Sequence, residues 1–407
     1  MLALDPLLIG DLTLGDVAIV LMKVIVIFVL GLVATMLMVW FERKAIAGMQ
    51  NRIGPNKAGP FGILQTLADG IKLFFKEDLI PEQSDRFVFK LAPYLAFVPA
   101  FLVWSVIPLG GDFSRNKDGT VVLFGHVTRL QLADPAIGVL LLLALSSISV
   151  YGIMLAGWAS GSKYPLIGSV RASAQMVSYE AALGLSLAAV ILVTGTLSTS
   201  GIVAYQSSLS KWQVAATAFV PFVIFLIAAT AELNRPPFDL VEAEQELVGG
   251  FNTEYSSIRF ALFYLAEFMN TVTMSGVIVT LFFGGPQPLR IAGDSNILSF
   301  LGPFSGTVWF FLKLLVFLYI YVWFRATLPR FRYDQLMNLG WKVMIPVALG
   351  WFMLLALLRV GGDRGWTRLH KTTVGVIALL VLAAAGGLLM LATRVSARNR
   401  EREGAMF

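Results

Sequence analysis

The chain has 407 residues, 57% hydrophobic and 14% charged, with a formal net charge of +6, no cysteine and two histidines. A charged share far below the roughly 25% of soluble domains, with a mean hydropathy of +0.77, excludes a soluble globular protein. Without thiols there are no disulfides, cysteine-ligated iron–sulfur clusters or thiol nucleophile; the histidines, His126 and His370, lie in polar segments, so a buried bis-histidine haem is not expected.

Apolar runs of about 20 residues recur along the chain, each long enough to cross a hydrocarbon core of roughly 30 Å as a helix. About nine spans are predicted, near 17–40, 88–109, 135–158, 179–197, 212–230, 258–282, 305–325, 340–358 and 372–393. The fold class is therefore an all-α, polytopic transmembrane helix bundle, a single membrane domain over 1–407, with a short cytoplasmic amphipathic helix and structured cytoplasmic loops. The opening segment carries Asp5, Asp11 and Asp16 and no cation before Lys23, so no signal peptide is expected and the first run reads as a retained span.

The first loop, residues 40–81, opens on Glu42, Arg43 and Lys44, turns at Gly54-Pro55 and Gly59-Pro60, and continues into an amphipathic helix predicted over 61–76. Leu64, Leu67, Ile71 and Phe74 share a face, away from Asp69, Lys72 and Lys76, as suits a helix lying in the membrane interface. The loop reads either as an ordinary basic loop or as the mouth of a cavity for an amphipathic ligand entering from lipid.

Further along, Glu180 opens the fourth span. After the fifth span comes "AELNRPPFDLVEAEQELVGGFNTEY", residues 231–255, with six carboxylates, Glu232, Asp239, Glu242, Glu244, Glu246 and Glu254, against Arg235 alone. Pro236 and Pro237 end the span. Asp239 stands at an N-cap position with Glu242 three residues on, which predicts a short helix over about 240–248 closed by Gly249 and Gly250. A capped helix accounts for Asp239 and Glu242. It does not account for Glu232 at a span's end, nor for Glu242 and Glu246 crowded at i,i+4. Glu267 lies near the middle of the sixth span and Lys313 within the seventh, depths at which an ionised group is costly and usually serves a polar path. Lys313 is expected to be a structural partner. The stretch 325–342 alternates Arg325, Arg330, Arg332 and Lys342 with aromatics and Asp334, as an anchor or as a docking face for a soluble partner.

Cations cluster in the loops after spans one and seven. This suits the positive-inside bias rather than nucleic-acid binding, and puts the N-terminus outside and the C-terminus in the cytoplasm. The basic loop after span eight, with Arg359, Arg364, Arg368 and Lys371, falls on the outer side by parity and conflicts with that rule.

Taken together, "ERK…GMQNRIGPNKAGPFGILQTLADGIKLF", the acidic stretch and "PRFRYDQLM" resemble the membrane-embedded H subunit of proton-translocating NADH–quinone oxidoreductase, respiratory complex I, over about residues 20–358. The resemblance implies an eight-helix core over 1–358, with 359–407 as an extra loop, ninth span and tail. It implies a proton-translocating NADH:quinone oxidoreductase with quinone (ubiquinone or menaquinone) as substrate, and no metal, haem or cluster on this chain. It further implies a quinone chamber or its entrance at Glu42, Arg43, Arg52, Asp69, Arg235 and Asp239. An acid path would run through Glu180, Glu232 and Glu267 beside Glu242, Glu244 and Glu246. A junction with the peripheral arm would form at Arg171, Arg325, Arg332 and Asp334. The implied partners are iron–sulfur and chamber subunits of that arm, antiporter-like and small membrane subunits, and membrane lipid, in a bacterial cytoplasmic membrane. Two other readings stay open: the equivalent subunit of an energy-converting hydrogenase, and a free-standing proton-coupled transporter, for which no inverted repeat is visible.

Overall fold

The computed structural model describes residues 5–8, 13–113, 119–239, 248–289 and 298–365, with positions 373, 375, 376 and 387. In chain order these form α1 (Leu14–Met49), α2 (Gln65–Phe75), α3 (Arg86–Trp104), a hairpin of β1 (Thr120–Leu123) and β2 (His126–Arg129), α4 (Gly138–Ala159), α5 (Lys163–Thr194) and the short α6 (Thr199–Tyr205). There follow α7 (Val220–Glu232), α8 (Ser257–Phe282) and α9 (Ser305–Thr327), and α10 (Tyr333–Asp363). Among the described residues, α1, α3, α4, α5, α8, α9 and α10 are the seven helices long and apolar enough to cross a membrane. The first eight expected spans fall on these seven and on α7, which is apolar but has only 13 residues, about 20 Å of helix. The ninth lies almost wholly outside the described residues.

Local chemistry sets the ends. Thr13 and Asp16 cap α1 reciprocally: Asp16 N donates to Thr13 Oγ1 at 3.3 Å and Thr13 N to Asp16 Oδ2 at 3.0 Å. Asp85 caps α3 by accepting from the amides of Phe87 and Val88. The amphipathic helix starts at Gln65 rather than 61. Phe61 and Gly62 have φ of +54° and +77°, and Gly62 packs so close to the Pro55 carbonyl that a Cβ would sit 2.4 Å from it. The chain must turn there before it can coil. α2 then presents Leu64, Leu67, Ile71 and Phe74 as exposed side chains.

The fourth span also differs: α5 starts at Lys163, so Glu180 sits midway along the helix instead of at its start. Its first half is polar in sequence, yet Ser169, Ser173, Gln175 and Ser178 are buried against neighbouring helices. α7 is shorter than the expected fifth span because Ala218 and Phe219 take φ of +56° and +68° and break the run. The helix expected over 240–248 lies outside the described residues except for Val248, a turn residue with φ +64°.

α8 is the central helix. Of its most apolar 18-residue window 83% is buried, against 22% for α1 and 17% for α10. α3 and α4 approach through small residues: a Cβ on Gly152 would lie 2.7 Å from Ala96 N, and Ala92, Ala100 and Ala156 are buried around it. Such close backbone contact is how helices gain dispersion energy where lipid removes the hydrophobic drive.

The end of the bundle that carries the hairpin is tied by charge. Asp5 pairs with Lys23 and accepts from Thr128. His126 Nδ1 lies 2.8 Å from Asp16. Asp134 takes Arg129 at 2.9 Å, with Ser198 and Ser200. The opposite end carries α2, the segment from Leu233 to Asp239 after α7, and the loop before α10.

Candidate functional site

Four chain segments far apart in sequence meet at that opposite end. Glu42, from the last turns of α1, is buried and takes the guanidinium of Arg235 on one carboxylate oxygen and that of Arg325 on the other. Arg235 follows the end of α7. Its Nε lies 3.1 Å from Glu267 Oε1 on α8, and its guanidinium stacks 4.4 Å from the centre of the Phe268 ring. Burial works against the Arg235 charge, but Glu42 and Glu267 outweigh it and raise its pKa, so the guanidinium stays protonated. Two carboxylates and two guanidiniums balance one another, which makes burial of the Glu42 and Arg235 charges tolerable.

The other two acids rest on adjacent residues of α4. Ser146 donates to Glu232 Oε1 and Ser147 to Glu180 Oε1. The second oxygen of Glu232, Oε2, is buried and has no hydrogen-bond partner among the described residues. Two cavities flank it. One, of about 50 Å³, is lined by Glu232, Glu267, Asn234, Asn252 and Asn270 among others. The second, of about 20 Å³, runs past Ser146, Asn270, Thr273 and Met274. A water needs about 10–15 Å³, so the first has room for several and the second for one. Glu232 thus borders both, with Glu267 across the larger.

The remaining candidates fall into two groups around this centre. At the lipid-facing rim Arg43 pairs with Asp69 of α2 at 2.7 Å, Gln65 donates to Asp69, and Trp40 Nε1 donates to Phe61 O at 3.0 Å. Arg52 is exposed nearby in the sequence, in the first loop. On the other side of this centre Arg330 pairs with Asp239 at 2.8 Å, Phe331 N donates to Pro237 O at 2.9 Å, and Arg171 lies over the Tyr333 ring at 5.8 Å. Arg332 and Asp334 are on the same loop, Asp334 exposed. Asp239 thus meets a cation, and the helix it was expected to cap lies outside the described residues. Glu242, Glu244 and Glu246 lie outside the described residues.

Sequence reasoning missed Ser146, Ser147 and Asn270. The serine pair had a signal: "LALSSISV" interrupts an apolar run with adjacent hydroxyls at mid-span. The partners of Arg235 had none, because Glu42 and Glu267 are 193 residues and about 30 residues away in sequence.

A family model described as NADH dehydrogenase matches residues 22–356, which takes in α1 to most of α10. This chain belongs to the family of H subunits of NADH-quinone oxidoreductase. It is 50% identical over 374 residues to the NADH-quinone oxidoreductase H subunit of Frankia casuarinae, covering 90% of this chain and 80% of that protein. The H subunit of Frankia alni matches at the same identity and coverage, and that of Cutibacterium acnes at 46% over 399 residues, 92% of this chain and 86% of that protein. The chain is accordingly a subunit of the NADH:quinone oxidoreductase complex, a membrane component of a respiratory chain. The family assignment sets aside the hydrogenase-type and free-standing-transporter readings. Among the described residues no group of three or more His, Asp or Glu is arranged to hold a metal ion.

Proposed function

We propose that this chain forms part of a quinone chamber at its junction with the peripheral arm and couples quinone reduction to proton movement through Glu42, Glu267, Glu232 and Glu180. Converting a quinone to a quinol takes two electrons and two protons. The electrons come from an iron–sulfur centre of a peripheral-arm partner, since a chain without cysteine ligates none by thiolate. The protons, or the charge change they leave, reach the buried Glu42–Arg235–Glu267 network, which then biases Glu232 and Glu180. Antiporter-like and small membrane subunits would receive that bias laterally. The loop end, with Arg330, Arg332 and Lys342, faces the cytoplasm of a bacterial membrane, and the hairpin end faces outward. The exposed apolar face of α2, held to α1 by the Arg43–Asp69 pair, supports entry of the quinone tail from lipid at that rim.

The observation that carries the reading is the position of Glu232 between two water-sized cavities, one of them shared with Glu267. A hydrogen-bonded carboxylate with water on two sides can accept a proton on one and release it on the other. The test is Glu232→Gln in the assembled enzyme, reconstituted in proteoliposomes. NADH-driven quinone reduction and proton uptake are measured together, and the ratio of protons to electrons is expected to fall at least severalfold. Wild-type rates of both would end the proposal.

A further inference from the structure

Beyond the acid path, toward the hairpin end, the bundle changes character. The smaller cavity beside Glu232 reaches Thr273 and Met274 on α8. From there to Phe282 is about 12 Å along the helix at 1.5 Å per residue. The hydroxyls of Ser275 and Thr280 in that stretch are turned back onto the carbonyls of Thr271 and Gly276, both at 2.8 Å, and do not extend a relay. Phenylalanines then close the core. Phe222 packs edge-on against Phe282 at 5.7 Å, Phe283 at 5.2 Å and Phe317 at 6.1 Å, and Phe225 meets Phe282 at 5.4 Å.

Immediately past this layer lies Lys313 of α9, 8% exposed. Its ammonium donates to the carbonyls of Phe283 at 2.8 Å, Gly285 at 2.9 Å and Gln287 at 2.7 Å. Its Nζ lies 4.6 Å from the centre of the Trp212 ring. Three carbonyls use the full donor complement of an ammonium, and the ring's π face favours a cation. Among the described residues no carboxylate pairs with it. The cage has the geometry that holds an ammonium, and a cation fixed there would be the arrangement by which some pores repel protons.

We infer that Lys313 and the phenylalanine layer form a proton barrier that seals the acid path from the hairpin side of the membrane. The inference rests on the reading of Glu232 as part of that path. A proton at Glu232 would have to cross the aromatic layer and then approach the Lys313 ammonium. Its exits are back toward the loop end or sideways to a neighbouring protein of the complex. A lysine that merely caps the carbonyls after α8 would be needed for stability but not for tightness, and the two roles separate by experiment.

The whole complex is reconstituted in liposomes without NADH, a pH gradient is imposed, and its decay is followed with a trapped fluorescent pH dye. Lys313→Met is expected to speed the decay at least threefold over wild type. Lys313→Arg, which keeps the charge, stays tight. Lys313→Met combined with Glu232→Gln becomes tight again, because the leak runs through the acid path. A Lys313→Met complex as tight as wild type, a Lys313→Arg complex as leaky as Lys313→Met, or a leak that survives the Glu232→Gln change would overturn the barrier. Should Lys313→Met fail to assemble, Lys313→Gln is read in the same way, since an amide keeps donors for the carbonyls without the charge. Failure of the acid-path reading itself appears separately, as unaltered pumping in Glu232→Gln alone.

Discussion

Arg235 is placed where removing one side chain takes a cation from two acids. Glu42 would keep Arg325, which is partly exposed, and Glu267 would lose the guanidinium it meets at 3.1 Å. Breaking a buried ion pair by deleting one partner costs about 3–5 kcal/mol. Arg235→Ala should therefore abolish or severely reduce assembly, measured as the amount of intact complex on a native gel. Arg43→Ala removes a pair whose side chains are 41% and 29% exposed, a class worth about 0–1 kcal/mol. Normal assembly is expected there, and any effect should appear in the KM for quinone instead. Equal loss of complex in both variants would contradict this ranking. At this scale the sequence pointed to the acids and not to their partners. Glu232 and Glu267 stand out because a carboxylate at membrane depth is costly, a property of one position. That Arg235 reaches both Glu42 and Glu267 depends on how α1, α7 and α8 lie beside one another, and no local pattern encodes that.

At the scale of helices, hydropathy predicted nine apolar segments and located the seven long helices among the described residues, and the shorter α7, because lipid imposes the same demand on each. It failed where a helix is buried by protein instead of lipid. The first half of α5 reads as polar, yet much of that polarity is met inside the protein: Ser169 and Ser178 donate to Leu166 O and Ala174 O, and Gln175 Nε2 donates to Ala231 O at 2.7 Å and Phe238 O at 2.9 Å. It failed again at 61–64, where positive φ at Phe61 and Gly62 delays α2 by a turn. Packing between helices is similarly specific. Gly152→Val would drive a side chain into the α3 backbone at Ala96, and overpacking of this kind costs about 1–3 kcal/mol. Gly184 of α5 has no heavy atom within 4 Å of an added Cβ. Gly152→Val is therefore expected to lower the thermal stability of the purified complex and its accumulation in the membrane, with Gly184→Val close to wild type. Similar losses in both would show that the α3–α4 contact is not specially tight.

For the molecule as a whole, both ends hold paired charges, one around Glu42 and Asp239 and the other around Asp5 and Asp134, and the second also carries the hairpin and the Lys313 cage. The sequence has no cysteine, so introduced thiols report sidedness without background. Lys57→Cys, in the exposed first loop, and Phe124→Cys, at the exposed hairpin turn, should react with a membrane-impermeant maleimide from opposite sides, position 57 from the cytoplasm. Labelling of both from one side would refute the topology. The clamp on Glu42 also bears on how the protein is made. Its two cations arrive 193 and 283 residues later in the chain. At about 5–20 residues per second, Arg325 leaves the ribosome roughly 14 to 57 seconds after Glu42. During that interval α1 is already in the bilayer with a carboxylate that has no second partner. The insertion machinery must carry the nascent chain through this window, and a chain truncated before residue 325 would remain in that unfinished state, exposed to quality-control proteolysis.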